Sequence, residues 1–362
     1  MRYRMRLGIV VALMLLMVGS RQAWAGASCP DCAPIFSGEQ LERAVRSAGS
    51  GTHLKLIPGL RLGEVSLDEI KASGVIIESA DPGQPATFTT LTLRNSQAIT
   101  LRDLRFDGPI NDLHYKLLVM ESRDINMEGL SFVGDASAYD DERSFSALML
   151  RQSKGLRLSH SRFEHFVFGV TLLDTDEVTL NDNVFLRMKE DGVRGGGNSH
   201  LVIRRNQIAD SDRYPQGHPD GIQQWTTNVH RPAHDILIED NLVLRGTGGA
   251  GQGIFINDEV GLPYENLVVR NNLVVGALYN GISVMGARDG QVTGNVILAN
   301  PDQESWLRIE RADGLLVADN RAGRFVFTGK PHDHNNRLLT PTSHPEKLTA
   351  DWLERRGMSL AH

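Results

Sequence analysis

The sequence contains little cysteine. Only Cys29 and Cys32 occur among the 362 residues, in the order Cys-Pro-Asp-Cys. Two thiolates are too few for a structural zinc site, which needs four ligands, and a redox pair normally opens a helix in a βαβ unit. In an oxidising compartment a small local disulfide between these two residues is the expected state.

Basic residues are fewer than acidic ones. The chain has 38 Lys and Arg against 44 Asp and Glu, a formal net charge of −6. Neutralising nucleic-acid phosphates requires clustered Lys and Arg, so this balance argues against a nucleic-acid partner. If the substrate is a polyanion, a local basic patch must overcome the overall repulsion.

Long hydrophobic runs are also lacking, apart from one at the N-terminus. Leu7–Val18 is apolar, follows three arginines and precedes the small-x-small sequence Ala23-Trp24-Ala25. These features predict a signal peptide over residues 1–25 and therefore a periplasmic or secreted protein. The run is short for a membrane span, and an uncleaved N-terminal anchor is the alternative. We expect no membrane contact in the mature form.

A short phrase with an apolar-x-apolar-x-x-pivot-x-apolar pattern recurs along the chain. The clear copies are Leu156–Phe163, Val178–Phe185, Leu201–Ile208, Ile236–Val243 and Leu267–Val274. The pivot is Ser161 in the first copy and Asn in the others, and weaker copies centre on Leu104, Leu130, Asn295 and Asn320. A period of roughly 22–26 residues with longer excursions is typical of stacked β-coils, because one repeat cannot bury its apolar face alone.

Each repeat carries a second strand that begins at a glycine. These glycines are Gly169, Gly192, Gly221, Gly253 and Gly281. Alternation at period two directs the apolar residues inward. The Asn pivots fit turns, where stacked amides bond from coil to coil.

The two ends of the chain differ from the repeats. A helix is predicted from Ser37 to Ala48, covering the open edge of the first coil, followed by strands at Leu54–Ile57 and Gly74–Glu78. From about Pro331 the pattern fails, and a last helix is expected over Asp351–Arg356. We therefore expect one solenoid domain over 26–330, including the N-terminal cap, and a covering tail over 331–362.

The chain resembles the right-handed parallel β-helix, or pectate-lyase-like, superfamily of carbohydrate-active proteins. The resemblance rests on the coils from Ile99 to Asn320 and on the N-terminal opening, a helix followed by Leu54–Gly59 and Ile76–Gly83. This opening is similar to that of chondroitinase-B-like and alginate-lyase-like polysaccharide lyases and of mannuronan C5-epimerases. The resemblance implies an all-β, single-stranded right-handed parallel β-helix. The same architecture serves lyases, epimerases, hydrolases and non-catalytic surface proteins.

The largest excursion from the repeat lies between the pivots Asn206 and Asn241 and includes Asp210–Trp225. A loop of this size on a regular scaffold usually binds something. Aligning the glycines places Lys189 beside His218, Asp191 beside Asp220 and Arg194 beside Gln223, on coils roughly 4.8 Å apart. The three glycines after Arg194 leave open space around it.

These residues suit proton abstraction beside the carboxylate of a uronic acid. The base is His218 or Lys189, and Arg194 or Arg213 stabilises the enolate-like intermediate. In the resembling lyases and epimerases Lys, Arg and His take these roles. The epimerases carry Asp-Pro-His-Asp at a comparable loop, and Gly217-His218-Pro219-Asp220 of this chain has similar residue types in another order. The predicted catalytic residues are Lys189, Arg194, His218 and Asp220; the predicted substrate-binding residues are Asp191, Arg213, Tyr214, Gln223, Trp225, His230 and Asn257.

Each candidate has a structural alternative. Asp191 and Asp220 precede glycines, where Asp often makes an Asx turn, and Lys189 fits a solvated outer face. Trp225 either stacks on a sugar ring or packs under the long loop. A calcium site is a further possibility, with oxygen ligands from four aspartates, Asp191, Asp210, Asp212 and Asp220.

The leading hypothesis is an exported, monomeric polysaccharide lyase that cleaves a uronate-containing chain by β-elimination. Hydrolysis by Asp191 and Asp220 is the second enzymatic alternative, and C5-epimerisation, which shares the first proton removal, is the third. A non-catalytic polysaccharide-binding or export protein is the remaining alternative, in which Lys189, His218 and Arg194 do not converge.

Overall fold

The computed structural model describes residues 29, 31–109, 114–134, 145–212, 217, 219–329 and 331–361. The predicted signal peptide lies outside the described residues, as do Arg213, Tyr214 and His218. No helix in the described ranges is long and apolar enough to cross a membrane. Cys29 and Cys32 form a disulfide.

The chain winds as a parallel β-helix, and each full coil adds one strand to each of three parallel ladders. The first ladder contains Arg61–Asp68, Thr87–Arg94, Tyr115–Met120, Ser146–Arg151, Phe168–Leu173, Val193–Gly196, Asp220–Trp225, Gln252–Asn257, the first half of Asn280–Thr293, Trp306–Asp313 and Arg324–Gly329. The second ladder contains His53–Leu56, Lys71–Ser79, Gln97–Arg102, Arg123–Glu128, Lys154–Ser159, Asp176–Asn181, Ser199–Arg204, His234–Glu239, Tyr264–Arg270, the second half of Asn280–Thr293, Leu316–Ala318 and His332–His334. The third ladder contains Arg105–Phe106, Ser131–Val133, Arg162–Glu164, Val184–Leu186, Gln207–Ala209, Leu242–Leu244, Leu273–Val275, Val296–Leu298, Arg321–Ala322 and Arg337–Leu338.

The predicted pivots form a continuous ladder of buried amides between the second and third ladders. Asn241 shows the pattern: its Oδ1 accepts from both the backbone N and the Nδ2 of Asn206 at 3.0 Å. Its own Nδ2 donates to Asn272 Oδ1 at 3.0 Å and to Ile203 O at 2.9 Å. The same bonds link the other Asn pivots, Asn183, Asn206, Asn272, Asn295 and Asn320, and continue to Asn336, which was not a predicted pivot. Every donor and acceptor of the buried amide is thereby satisfied, which fixes the register of the coils.

The interior of the solenoid is filled by side chains stacked in the same way. Five buried phenylalanines on neighbouring coils place their ring centroids 4.5–5.8 Å apart: Phe88, Phe106, Phe132, Phe163 and Phe185. The glycines that open the first-ladder strands sit against this interior. A Cβ on Gly221 would lie 2.7 Å from Val243 of the third ladder, and one on Gly281 would lie 2.3 Å from Ile297. Glycine is required there because the corner has no room for a side chain.

The N-terminal helix spans Gly38–Ser47, one residue shorter at each end than predicted. The Ser37 hydroxyl accepts from Gln40 N at the N-cap, and Leu41 and Val45 are buried. Gly38 packs against Val65 of the first complete coil. The strand Arg61–Asp68, which the sequence analysis did not predict, completes this coil.

The coils continue beyond residue 330, the predicted end of the solenoid. His332–His334 pairs with Leu316–Ala318, and Asn336 extends the amide ladder. This strand was not predicted because its exposed residues, which include His332 and His334, lack the apolar alternation of the earlier repeats.

The C-terminal helix spans Glu346–Glu354, earlier in the chain than predicted. It buries Trp352 and Leu353 against third-ladder residues such as Leu242 and Leu273. The tail therefore covers the flank of the coils.

Candidate functional site

The outer face of the first ladder carries the predicted columns of side chains. The column two residues after the glycines runs Thr171, Arg194, Gln223, Phe255 and Ser283, as the glycine alignment predicted. The column before the glycines includes Phe168, Asp191, Asp220 and Gln252, with Gly192 N donating to Asp220 O at 3.0 Å. The observed strand pairing therefore confirms the register that the glycine alignment predicted.

Asp191 and Asp220 are neighbours in adjacent coils. Asp191 Oδ1 accepts from the backbone N of Asp220 at 2.9 Å, and the two residues are 4% and 1% exposed. This bond joins the two coils through the Asp191 carboxyl group. Burial raises the pKa of Asp220 well above its ordinary value; the charges of Asp191 and Glu190 raise it further, against an opposing effect of Arg194. Asp220 therefore keeps its proton to higher pH than a surface aspartate.

Arg194 lies beside this carboxylate pair. Its Nη1 is 3.5 Å from Asp191 Oδ2, and its side chain is 26% exposed. The guanidinium carbon lies 3.9 Å from the ring centroid of Phe168 and 4.9 Å from that of Trp225. A carboxylate and two aromatic faces thus hold one partly exposed cation in a fixed orientation.

The expectation of open space around Arg194 is wrong, because Trp225 occupies it. A Cβ on Gly196 would lie 2.8 Å from Trp225 Nε1 and 3.1 Å from Cδ1. The indole therefore lies on the bare backbone of the neighbouring coil, which Gly196 makes possible. Trp225 remains partly exposed, so one side of the aromatic pair faces solvent.

The other predicted residues are spread along this face. Lys189 is 6% exposed, so it is not the solvated surface charge that was its alternative. Gln223 adjoins Arg194 in its column, and Asn257 adjoins Trp225. His230 is exposed in the turn after Asp220–Trp225, at the opposite end of that strand from Asp220.

Two residues of the site were not among the predicted ones. Phe168 stands in the predicted column of Asp191, but only the folded structure places its ring against Arg194. Glu190 acts on the charge of Asp220, and a Cβ on Gly217 would lie 2.3 Å from Glu190 Oε1, so the long loop returns onto this carboxylate. The position of Glu190 next to Lys189 was the available signal in the sequence.

Within the described residues, the carboxylates of the four aspartates proposed as calcium ligands do not form one cluster. Asp210 Oδ1 accepts from the backbone N and the hydroxyl of Thr247, at 2.7 and 3.0 Å. Asp212 Oδ2 lies 3.6 Å from His165 Nδ1. The one group of three metal-ligating side chains in the described part of the chain lies on the second ladder and contains none of these aspartates.

A cavity of about 1000 Å³ lies away from the candidate site, between the C-terminal helix and the loops at Arg245–Gly248 and Asn300–Asp302. Its charged lining includes Arg245 and Asp302, which pair with each other at 2.7 Å. Its lining residues do not include an arginine placed between two aromatic rings, as Arg194 is on the first-ladder face. The first-ladder face around Arg194 is therefore the candidate site because of its side-chain chemistry, and not because of cavity size.

Comparison with known proteins identifies the architecture. A family described as the right handed beta helix region matches residues 89–297. A Dettilon tailspike protein superposes with a TM-score of 0.61 at 11% identity, covering 83% of this chain and 65% of the tailspike. The PfbA surface protein and adhesin of Streptococcus pneumoniae has a TM-score of 0.55 at 12% identity, covering 84% of this chain and 94% of PfbA.

A tailspike of Escherichia coli bacteriophage HK620, solved as a mutant in complex with a pentasaccharide, has a TM-score of 0.56 at 14% identity. The alignment covers 84% of this chain and 62% of that tailspike. No curated protein sequence matches the chain. At these identities the structural similarity extends to the fold alone.

Proposed function

The chain belongs to the right-handed β-helix family, and on that premise we propose that it is an exported polysaccharide lyase. Its substrate is a uronate-containing chain, which binds along the outer face of the first ladder around Arg194. The reaction is β-elimination, with His218 or Lys189 as the base.

The observation that carries the proposal is the setting of Arg194. A partly exposed guanidinium lies between the rings of Phe168 and Trp225 on a protein of net charge −6. Guanidinium groups bind carboxylates through two parallel hydrogen bonds, and aromatic faces pack against the apolar faces of sugar rings. Together they recognise a sugar that carries a carboxylate. The pentasaccharide held by the HK620 tailspike supports oligosaccharide binding on this fold.

A neutral Asp220 lessens the negative charge that opposes an anionic ligand at Arg194. Asp191 lies 3.5 Å from Arg194, and the charges of Asp191, Glu190 and Arg194 all act on Asp220, so three ionised carboxylates would outweigh the one guanidinium. Burial raises the pKa of Asp220, so that carboxyl loses its proton, and adds its negative charge beside Arg194, only at higher pH than a surface aspartate does. The buried Lys189 adds a second basic group close by.

The reaction begins with removal of the proton on the carbon next to the uronate carboxylate. The electron pair that is released forms a double bond to the adjacent ring carbon. The bond from that adjacent carbon to the glycosidic oxygen breaks, and the oxygen takes up a proton. Arg194 stabilises the charge that develops on the carboxylate as the first proton leaves. The products are a new reducing end and an unsaturated uronate.

The experiment is an assay of purified protein on a panel of acidic polysaccharides, with and without Ca²⁺, following the ultraviolet absorbance of the unsaturated uronate. We expect a rise with at least one substrate and its loss in His218→Ala or Lys189→Ala, whichever residue is the base. Arg308→Lys is the matched control for Arg194→Lys, because Arg308 stands in the same outer column beside Ser283, paired with Glu310. Activity equal in the two arginine variants would remove Arg194 from the mechanism.

Hydrolysis by Asp191 and Asp220 is the second candidate, favoured by one observation. These adjacent carboxyls differ in environment, with the pKa of Asp220 raised and Asp191 beside Arg194. Such a pair is the usual arrangement of a general acid and its partner in glycoside hydrolysis. New reducing ends without unsaturation would establish this reaction in place of elimination.

Export is proposed from residues 1–25 alone. The expected mature protein begins near Gly26, after the small-x-small sequence. Mass spectrometry of the protein recovered outside the cytoplasm measures this directly. An intact mass that includes the leader would contradict cleavage and favour the anchored alternative.

A further inference from the structure

A cluster of histidine and carboxylate side chains lies on the second ladder, apart from the Arg194 site. The strands Ser199–Arg204 and His234–Glu239 are neighbours, and their second residues are His200 and Asp235. Both have left-handed backbone, with φ of 48° and 56°. The same irregularity in successive coils stacks the two side chains, and His234 adjoins them from the preceding position.

The three side chains converge on one oxygen. Asp235 Oδ2 is 2.8 Å from His234 Nδ1 and 3.5 Å from His200 Nε2. The two imidazole rings are nearly perpendicular, with centroids 4.8 Å apart. One ligand atom from each residue lies within 4.8 Å of the other two.

Two further side chains hold the ligands in place. Asp176 Oδ1 is 2.7 Å from His200 Nδ1, which assigns the proton to that nitrogen and leaves Nε2 as a lone-pair donor. Asn266 Nδ2 donates to Asp235 Oδ1 at 2.5 Å, which leaves Oδ2 turned toward the histidines. A carboxylate behind a histidine ligand is the usual outer support of a metal site.

We propose that His200, His234 and Asp235 bind a divalent late first-row metal ion, with Zn²⁺ as the ion to test. Tetrahedral zinc with bonds of about 2.0–2.2 Å requires ligand atoms roughly 3.3 Å apart. The two separations that involve Asp235, 2.8 and 3.5 Å, bracket that value, and the ligand atoms of the two histidines lie within 4.8 Å of each other, so the side chains must rotate to close the site around an ion. Two imidazoles favour zinc, nickel or copper over calcium and magnesium, which prefer oxygen ligands.

Such a site takes three protein ligands from two adjacent coils and leaves one position for water. Asp176 and Asn266 belong to the coils on either side, so the ion with its outer partners links four successive coils. Lys154 bonds the second oxygen of Asp176 at 3.1 Å, which orients that carboxylate without contacting the ligands.

The test is calorimetric titration of Zn²⁺ into the full protein with any purification tag removed. We expect one equivalent to bind, with affinity reduced about 100-fold or more in His200→Ala and His234→Ala. Asp176→Asn leaves all three ligands and should weaken binding by about 10–100-fold through loss of orientation. These positions are on the surface, and circular dichroism confirms that each variant is folded.

The matched control is the double variant His332→Ala, His334→Ala. These two exposed histidines lie on the same ladder but lack this arrangement of carboxylate partners. Binding that survives loss of His200 and His234, or that disappears with His332 and His334, would overturn the proposal, as would the absence of any binding. The titration does not depend on catalytic activity, so its outcome is separate from that of the lyase assay.

Discussion

Substitution of an interior pivot, Asn241→Ala, should destabilise the protein strongly. Asn241 Oδ1 accepts two bonds from Asn206, and its Nδ2 donates to Ile203 O and to Asn272 Oδ1, all buried. Alanine leaves the backbone N of Asn206 without its acceptor, which costs about 1–3 kcal/mol. Loss of the bond to Ile203 O adds about 1 kcal/mol. We expect the free energy of unfolding to fall by about 2–4 kcal/mol.

The assay is urea unfolding followed by circular dichroism, with Asn336→Ala as the matched control. Asn336 makes the same bonds to Asn320 at 3.0 Å, but it is partly exposed at the end of the ladder. Water can replace its amide there, so the expected loss is below about 1 kcal/mol. Equal losses in the two variants, or a negligible loss in Asn241→Ala, would refute the account of the buried ladder.

Three further predictions concern the site. Because the pKa of Asp220 is raised in the folded state, folding favours its protonated form, and the stability of the wild-type protein falls as pH rises above the ordinary value of 3.8. Asp220→Asn should remove that fall, which melting temperatures measured across pH would show. Parallel pH profiles of the two proteins would contradict the prediction. Gly196→Val should displace Trp225 from the backbone of the neighbouring coil and change the tryptophan fluorescence. An unchanged spectrum would contradict the close contact between Trp225 and Gly196. Arg194→Lys should raise KM for an acidic substrate about 10-fold or more, because the flexible ammonium loses bidentate geometry, while Arg308→Lys leaves KM unchanged.

The repeat register could be predicted from sequence because simple local rules determine it. The matched family and the three ladders confirm the predicted right-handed parallel β-helix superfamily. Asn206 and Asn241 occupy positions where only an amide satisfies both neighbours, and Gly221 occupies a corner without room for a Cβ. Such constraints require the same residue types, Asn and Gly, at regularly spaced positions in the sequence.

The last coil has only one such residue in its sequence. Its strands His332–His334 and Arg337–Leu338 are short and exposed, so no apolar alternation is required of them. Asn336 alone carried the signal, and its spacing of 16 residues from Asn320 is shorter than the repeats before it.

The site was predicted in its columns but not in its contacts. The glycine alignment correctly placed Arg194 beside Gln223. That Trp225 folds back over Gly196, and that Phe168 meets Arg194 from the other side, depends on side-chain directions between coils. The raised pKa of Asp220 depends on its burial, which alternation at period two does not reveal.

The most direct test of the proposed function is mass spectrometry of the oligosaccharides released from an acidic polysaccharide. Elimination predicts products lighter by one water than those of hydrolysis, with an unsaturated uronate at the non-reducing end. The account predicts these products from the wild-type protein and far less from Arg194→Lys. Oligosaccharides carrying the extra water would contradict β-elimination and favour hydrolysis by Asp191 and Asp220, and an uncleaved polymer across the panel would contradict a cleaving enzyme altogether.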